Sequence, residues 1–213
     1  MNGRLRALRP PLVKEHLPAL SPIELSDDSE IGEVTVTGQD WADATATGVH
    51  LDTVRLARVA LARAHLKRPD LQDVIGSACD LSGSVLEEPT LTRVELRGCT
   101  LVGARWSDGR FIDVRFVDCQ LELAAFWAAR FTRVRFERCK LCDADFHGAD
   151  LGGAVFEECD LSRTNWADAK LSGTDVSTSD ISGVRATASA VTGLVVSSAQ
   201  AVQLARLFGL VVR

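Results

Sequence analysis

Every fifth residue from Ile31 to Val196 is apolar with one exception: of the 34 positions in this column, 33 carry Ala, Val, Ile, Leu, Phe or Trp, and the other is Gly76. Residues two places earlier, such as Val49, Val54, Val59, Cys79, Val94, Cys99, Ala104, Cys119, Ala124 and Val134, are small or β-branched, and none in that column is charged. A period of five suits neither regular element. On a helix, with about 100° per residue, it scatters around the circumference, and on a straight strand an odd step alternates faces. Only a chain that turns a corner once per repeat keeps the whole column inside. Cys79, Cys99, Cys119, Cys139 and Cys159 recur every 20 residues, as do Trp106, Phe126, Phe146 and Trp166, so four repeats make one coil. At about 4.8 Å per stacked strand, roughly eight coils give a rod on the order of 40 Å long.

Stretches such as Cys79-Asp80-Leu81-Ser82-Gly83, Ala144-Asp145-Phe146-His147-Gly148, Ala149-Asp150-Leu151-Gly152-Gly153 and Ser179-Asp180-Ile181-Ser182-Gly183 resemble the A(D/N)LxG unit of pentapeptide-repeat proteins. The resemblance implies a right-handed quadrilateral β-helix, all-β apart from a short C-terminal α-helix. Members of the Qnr and MfpA type bind DNA gyrase, some by imitating duplex DNA, and protect it from fluoroquinolones. The resemblance therefore raises a DNA-mimicking topoisomerase ligand as one reading of this chain. Fold alone does not transfer function, so a rigid scaffold for an unrelated protein stays open as the other.

Three segments are expected: an arm over 1–30, the β-helix over 31–196 and a capping helix with tail over 197–213. A solenoid exposes an apolar layer at each end and needs caps. The arm, with Pro10, Pro11, Pro18 and Pro22, is expected to fold over one end. At the other, Ser197-Ser198 can cap a helix of about 199–208 that Gly209 stops. Its polar residues Gln200, Gln203 and Arg206 form a narrow stripe. Val202, Leu204, Ala205, Leu207 and Phe208 then exceed what one end requires, and a homodimer, as MfpA-type proteins form, is expected to bury the excess. Residues 69–89 read as a weak, bulged stretch, since Pro69 and Pro89 take inward positions and Gly76 leaves a gap.

Composition narrows the function classes. The 213 residues carry a net charge of −5, which argues against direct nucleic-acid binding. No apolar run is long enough to span a bilayer, and no signal-peptide core follows the basic start, so the cytoplasm is the expected location. The six cysteines are expected to be free packing thiols. Catalysis needs groups converging in a concave site, which an uninterrupted rod does not offer. His16, His50, His65 and His147 fall in the arm or on different outward columns. No cofactor, metal site or enzymatic activity is expected.

Surface charge remains. Residues 93–140 hold ten Lys/Arg and six Asp/Glu, whereas residues 141–180 hold two and nine. Stacking at 20-residue spacing sets Arg93, Asp113 and Arg133 in one column and Asp118, Arg138 and Glu158 in another, read as exposed ion-pair ladders. It also opposes Arg110 with Arg130 and Arg115 with Arg135, a destabilising arrangement that an acidic partner could relieve. Trp127 is expected at the surface. The candidate partner surface therefore comprises Arg110, Arg115, Arg130, Arg135 and Trp127 on one side of the argument. Asp145, Asp150, Glu157, Glu158, Asp160, Asp168 and Asp175, a phosphate-like stripe, stand on the other.

Overall fold

A computed structural model describes residues 7–212. Residues 1–6 of the predicted arm and Arg213 lie outside the described residues. Parallel pairing at an offset of 20 residues runs from Glu30 beside His50 to Asp175 beside Val195, which makes the chain a parallel β-solenoid. The four faces are centred on the columns that contain Phe111, Phe116, Leu121 and Phe126, here the first to fourth faces. Strands His50–Ala57, Asp70–Ser77, Thr90–Arg97 and Arg110–Val117 each run across the first and second faces. The fourth face carries a separate sheet of the strands Thr45–Thr47, His65–Lys67, Val85–Glu87 and Arg105–Ser107.

All but two corners from Glu33 to Gly193, those at Thr178 and Ala188, rest on one residue with positive φ, two places after the inward residue. Glycine takes this position at Gly83, Gly103 and Gly183, but Arg63, Leu123, Asp143 and many others take it too, at φ between 57° and 59° for these three. A side chain there costs free energy, and hydrogen bonds offset it. The corner amide donates to the neighbouring coil, as Arg63 N does to the Ser82 carbonyl at 2.9 Å. The Leu61, Leu81 and Leu101 carbonyls accept from the amides three residues on, at 3.0–3.1 Å, which closes the turn. The Asp of the repeat completes it. Asp80, Asp160 and Asp180 each accept through Oδ1 from the amide two residues later, at 2.8–2.9 Å.

The core is a set of ladders. Phe116, Phe136 and Phe156 stack at 4.7 Å between centroids, Phe111 stacks on Phe131 at 4.7 Å, and Phe126 on Phe146 at 5.4 Å. The cysteine ladder is buried and its thiols are free. Hydrogen bonding to the next thiol in the ladder and burial push Cys99 and Cys119 up to about 12, which makes them packing groups rather than nucleophiles. The leucine-filled coils are looser: Leu51, Leu66, Leu71 and Leu91 help line an apolar cavity of about 40 Å³.

Two expectations about residues 69–89 are corrected. A Cβ at Gly76 would meet Leu96 Cδ2 at 2.6 Å, so Leu96 already fills the space that the missing side chain leaves. No bulge forms either. Pro69 and Pro89 are buried, and their carbonyls accept from Thr90 and Arg110 at 2.9 and 2.8 Å, in register with the rest of the rod.

Both ends differ from expectation in a specific way. Leu20, Ile23 and Leu25 pack against the first coil, where Trp41 Nε1 donates to the Ile23 carbonyl at 2.9 Å. Residues 7–19 do not cover that end; they run lengthwise along the corner between the first and second faces. The C-terminal helix spans Ser198–Leu207 with Ser197 as its cap. Gln200, expected on the solvent stripe, is buried: its Nε2 donates to the Val176 and Ser179 carbonyls at 2.7 Å each, satisfying the open edge of the last coil.

Candidate interaction surfaces

The outward columns sort into groups that the coil uses itself and groups that face solvent alone. In the corner column of the first face, Arg93 forks onto Asp73 at 2.5–2.6 Å and Arg133 onto Asp113 at 2.5–2.7 Å. The column of Arg93, Asp113 and Arg133, expected as an exposed ladder, is covered at its carboxylate. The Asp73 and Asp113 side chains are only 5% and 3% exposed, because the arm lies over them. The Arg93 hydrogen bonds hold Asp73 below the usual carboxylate range despite its burial. Burial alone would raise Asp113, but the Arg133 guanidinium and the Arg9 amide outweigh it and the carboxyl ends lower than usual. In the corner column of the second face Arg138 pairs with Asp118 at 2.7–3.0 Å, an exposed pair.

The stacked arginines divide into two cases. Arg115 does sit in register with Arg135, yet both guanidinium groups turn to carboxylates on neighbouring coils. Arg115 donates to Glu137 at 2.5 and 2.9 Å and to Glu95 at 3.3 Å, and Arg135 donates to Glu157 at 3.1 Å. Glu137, 9% exposed in its side chain, is held well below its ordinary range, chiefly by the Arg115 hydrogen bonds. Arg115 and Arg135 therefore belong to an internal network and are not a free basic belt. Arg110 and Arg130 are different: also in register, both are exposed, and no carboxylate approaches either within 4 Å among the described residues. With Arg68, Asp70, Glu88, Asp108 and Ala128 they line an open groove of about 560 Å³ along the corner between the fourth and first faces. Trp127, adjacent in the chain to Ala128, is 43% exposed.

The acidic residues do not form one stripe. Asp145 and Asp168 lie on the fourth face, Asp150 on the first, Glu157, Glu158 and Asp175 on the second, and Asp160 on the third, so together they girdle the C-terminal coils. Asp145, Asp150, Asp160 and Asp175 each cap a turn through Oδ1 at 2.9–3.1 Å. The repeat itself accounts for those four, while Glu158 and Asp168 occupy corner positions and make no turn-capping bond. Of the predicted dimer residues, Leu204 is buried against its own rod and is removed from the interface; Val202 and Ala205 are half-buried. Leu207 and Phe208 are exposed, and Leu210 and Val211 extend the apolar patch.

The family model described as pentapeptide repeats (8 copies) matches the chain twice, over residues 119–157 and 149–185. Among solved structures the chain is similar to a trypsin-treated form of QnrB1, a plasmid-mediated fluoroquinolone resistance protein, at 21% identity over 90% of this chain and 95% of that one, with a TM-score of 0.45. It is also similar to Rfr23, a pentapeptide-repeat protein of the cyanobacterium Cyanothece, at 22% identity over 47% of this chain and 61% of that one, TM-score 0.32. A third is HetL, a pentapeptide-repeat protein of Nostoc involved in heterocyst differentiation regulation, at 17% identity over 80% and 87%, TM-score 0.29. No curated protein sequence matches.

Proposed function

We propose that this chain, a pentapeptide-repeat protein, works as a non-catalytic protein-binding rod whose C-terminal coils address a cationic protein surface. The observation that carries this reading is the girdle of carboxylates over 141–180, nine against two basic residues, displayed on a rod of fixed register. The specific partner proposed is a type II topoisomerase such as DNA gyrase, with these coils entering its DNA-binding saddle in the cytoplasm. Excess protein should then inhibit gyrase supercoiling. Reversing Glu158 and Asp168 to Lys, neither of which caps a turn or pairs with an arginine, should weaken that inhibition at least about tenfold, since the long-range field reverses locally. Unaltered supercoiling at excess protein removes the topoisomerase reading.

A second reading, a scaffold for an acidic partner, is favoured by the stacked Arg110 and Arg130, which no carboxylate among the described residues pairs, and by the exposed Trp127. Reversal of these two to Glu separates the readings, because it leaves the Arg115–Glu137–Arg135 network untouched. Either way the rods are proposed to pair end to end. Leu207, Phe208, Leu210 and Val211 expose an apolar patch at the chain's end whose complement is a second copy. Sedimentation should show a particle of twice 23.0 kDa at micromolar concentration, and Leu207→Asp with Phe208→Asp should return single chains. A wild-type protein that sediments only as single chains would contradict the pairing.

A further inference from the structure

Residues 7–19 climb the rod across its strands. The Thr35 amide donates to the Pro18 carbonyl at 2.7 Å and the Leu20 amide to the Thr35 carbonyl at 2.9 Å. Arg55 then grips the Lys14 carbonyl through Nε and Nη2 at 3.2 and 3.0 Å. The Leu12 amide donates to Asp73 at 2.8 Å, and the Arg9 amide to Asp113 at 3.1 Å. Ala7 and Leu8 finish beside Arg133, Val134, Arg135, Gly153 and Val155. One extended segment thus meets six coils, those of Thr35, Arg55, Asp73, Asp113, Arg133 and Gly153.

These polar contacts read main chain. Amides and carbonyls of the arm meet carboxylates, a guanidinium and backbone of the rod; of its side chains, Leu8, Pro11, Val13 and Leu17 are half-buried, while the polar ones and Leu12, 69% exposed, face solvent. The anchoring carboxylates keep their Arg93 and Arg133 partners without the arm, so an empty corner strands no unpaired buried charge. A site that recognises extended backbone at fixed spacing tolerates many sequences, as strand-addition sites do. A tethered segment also holds such a site at an effective concentration in the millimolar range, enough to exclude ligands of moderate affinity.

We propose that the corner between the first and second faces is a groove for an extended segment of a partner protein, and that residues 7–19 occupy it in cis as a tethered competitor. This stands on the arm's contacts alone and does not depend on the acidic coils. The test uses a labelled peptide of residues 7–20 as the probe. Arg9→Pro with Leu12→Pro deletes the two anchoring amides of the arm and leaves the rod intact. The full chain carrying both should bind the peptide at least about tenfold more tightly than wild type. Adding Asp73→Ala and Asp113→Ala should abolish that gain. Alanine suits these corners, since Ala78 and Ala128 already hold φ of 50° and 52° at equivalent positions. Equal binding to wild type and the proline variant, or a gain that survives loss of both carboxylates, overturns the proposal. Hydrogen exchange on the wild type gives a second reading. Arg9 and Leu12 amides should exchange at least about a hundredfold faster than core strand amides, because the arm opens without the rod. Equal protection would show an arm that never leaves.

Discussion

Phe136→Ala should lower the melting temperature by roughly 10 °C, the largest loss expected from any single truncation in this protein. Phe136 is fully buried and lies between Phe116 and Phe156 at 4.7 Å on either side, its ring nearly parallel to both. Removing a buried phenylalanine typically costs about 3–5 kcal/mol, and a chain of this size loses about 2–4 °C per kcal/mol. The rod cannot collapse into the cavity, because every coil is held in register by its neighbours on both sides. A solenoid is also stabilised through nearest-neighbour contacts only. The loss should therefore appear first as faster hydrogen exchange in the coils on either side of Phe136 rather than throughout. Leu71→Ala, at a half-buried position beside the existing cavity, should cost less, about 2 kcal/mol. If Phe136→Ala melts within about 2 °C of wild type, the stacked ladder is not what holds these coils.

The second large effect is acid lability centred on Glu137. Glu137, Asp73 and Asp113 all have folded pKa values below their unfolded ones, for which 4.5 and 3.8 are the ordinary values. The sign follows directly: a depressed carboxyl contributes fully above its unfolded pKa, and the contribution disappears as pH falls through the folded value. Stability should be level from neutral pH to about 5 and then decline below about 4.5 as these carboxylates are protonated. Glu137→Gln keeps the shape and removes the charge that Arg115 and Arg135 share. It should cost about 2–3 kcal/mol at pH 7, below the full figure for a buried pair because both guanidinium groups reach solvent. It should also flatten part of the acid limb, while Asp118→Asn, at an exposed pair, should leave that limb nearly unchanged. Chemical denaturation at pH 7 and pH 4 measures both effects. An acid limb for Glu137→Gln that superimposes on the wild type would show that Arg115 and Arg135 do not depend on this carboxylate.

Much of this protein was legible in its sequence because a solenoid repeats one local solution. The apolar column at every fifth residue and the cysteines at every twentieth identify the inward positions and the four-cornered coil, and the register of Phe111 on Phe131 and Phe116 on Phe136 agrees with that spacing. The stacking of Arg110 on Arg130 was readable for the same reason. The direction in which Arg115 turns was not. Its carboxylate partner, Glu137, lies 22 residues away, and only side-chain rotamers decide between repulsion along the column and attraction along the diagonal. Gly76 taught the same lesson in the core, since a gap in one column was filled from the next coil by Leu96.

The candidate surfaces were less legible than the fold. The aspartates of the acidic half were readable as charge, but Asp145, Asp150, Asp160 and Asp175 also cap turns, and their distribution over four faces depends on which corner each repeat reaches. The arm left no periodic trace at all. Residues 7–19 find their place through main-chain amides, which every sequence has, and through carboxylates whose burial exists only once the arm is in place. By itself the sequence determined what repeats: the coil, its inward columns and the ladders of like residues, because each depends on neighbours at a constant spacing. The tertiary structure alone decided what does not repeat, namely the lie of the arm, the turn of each guanidinium and the helix face that Gln200 seals, because those contacts join segments at no fixed separation.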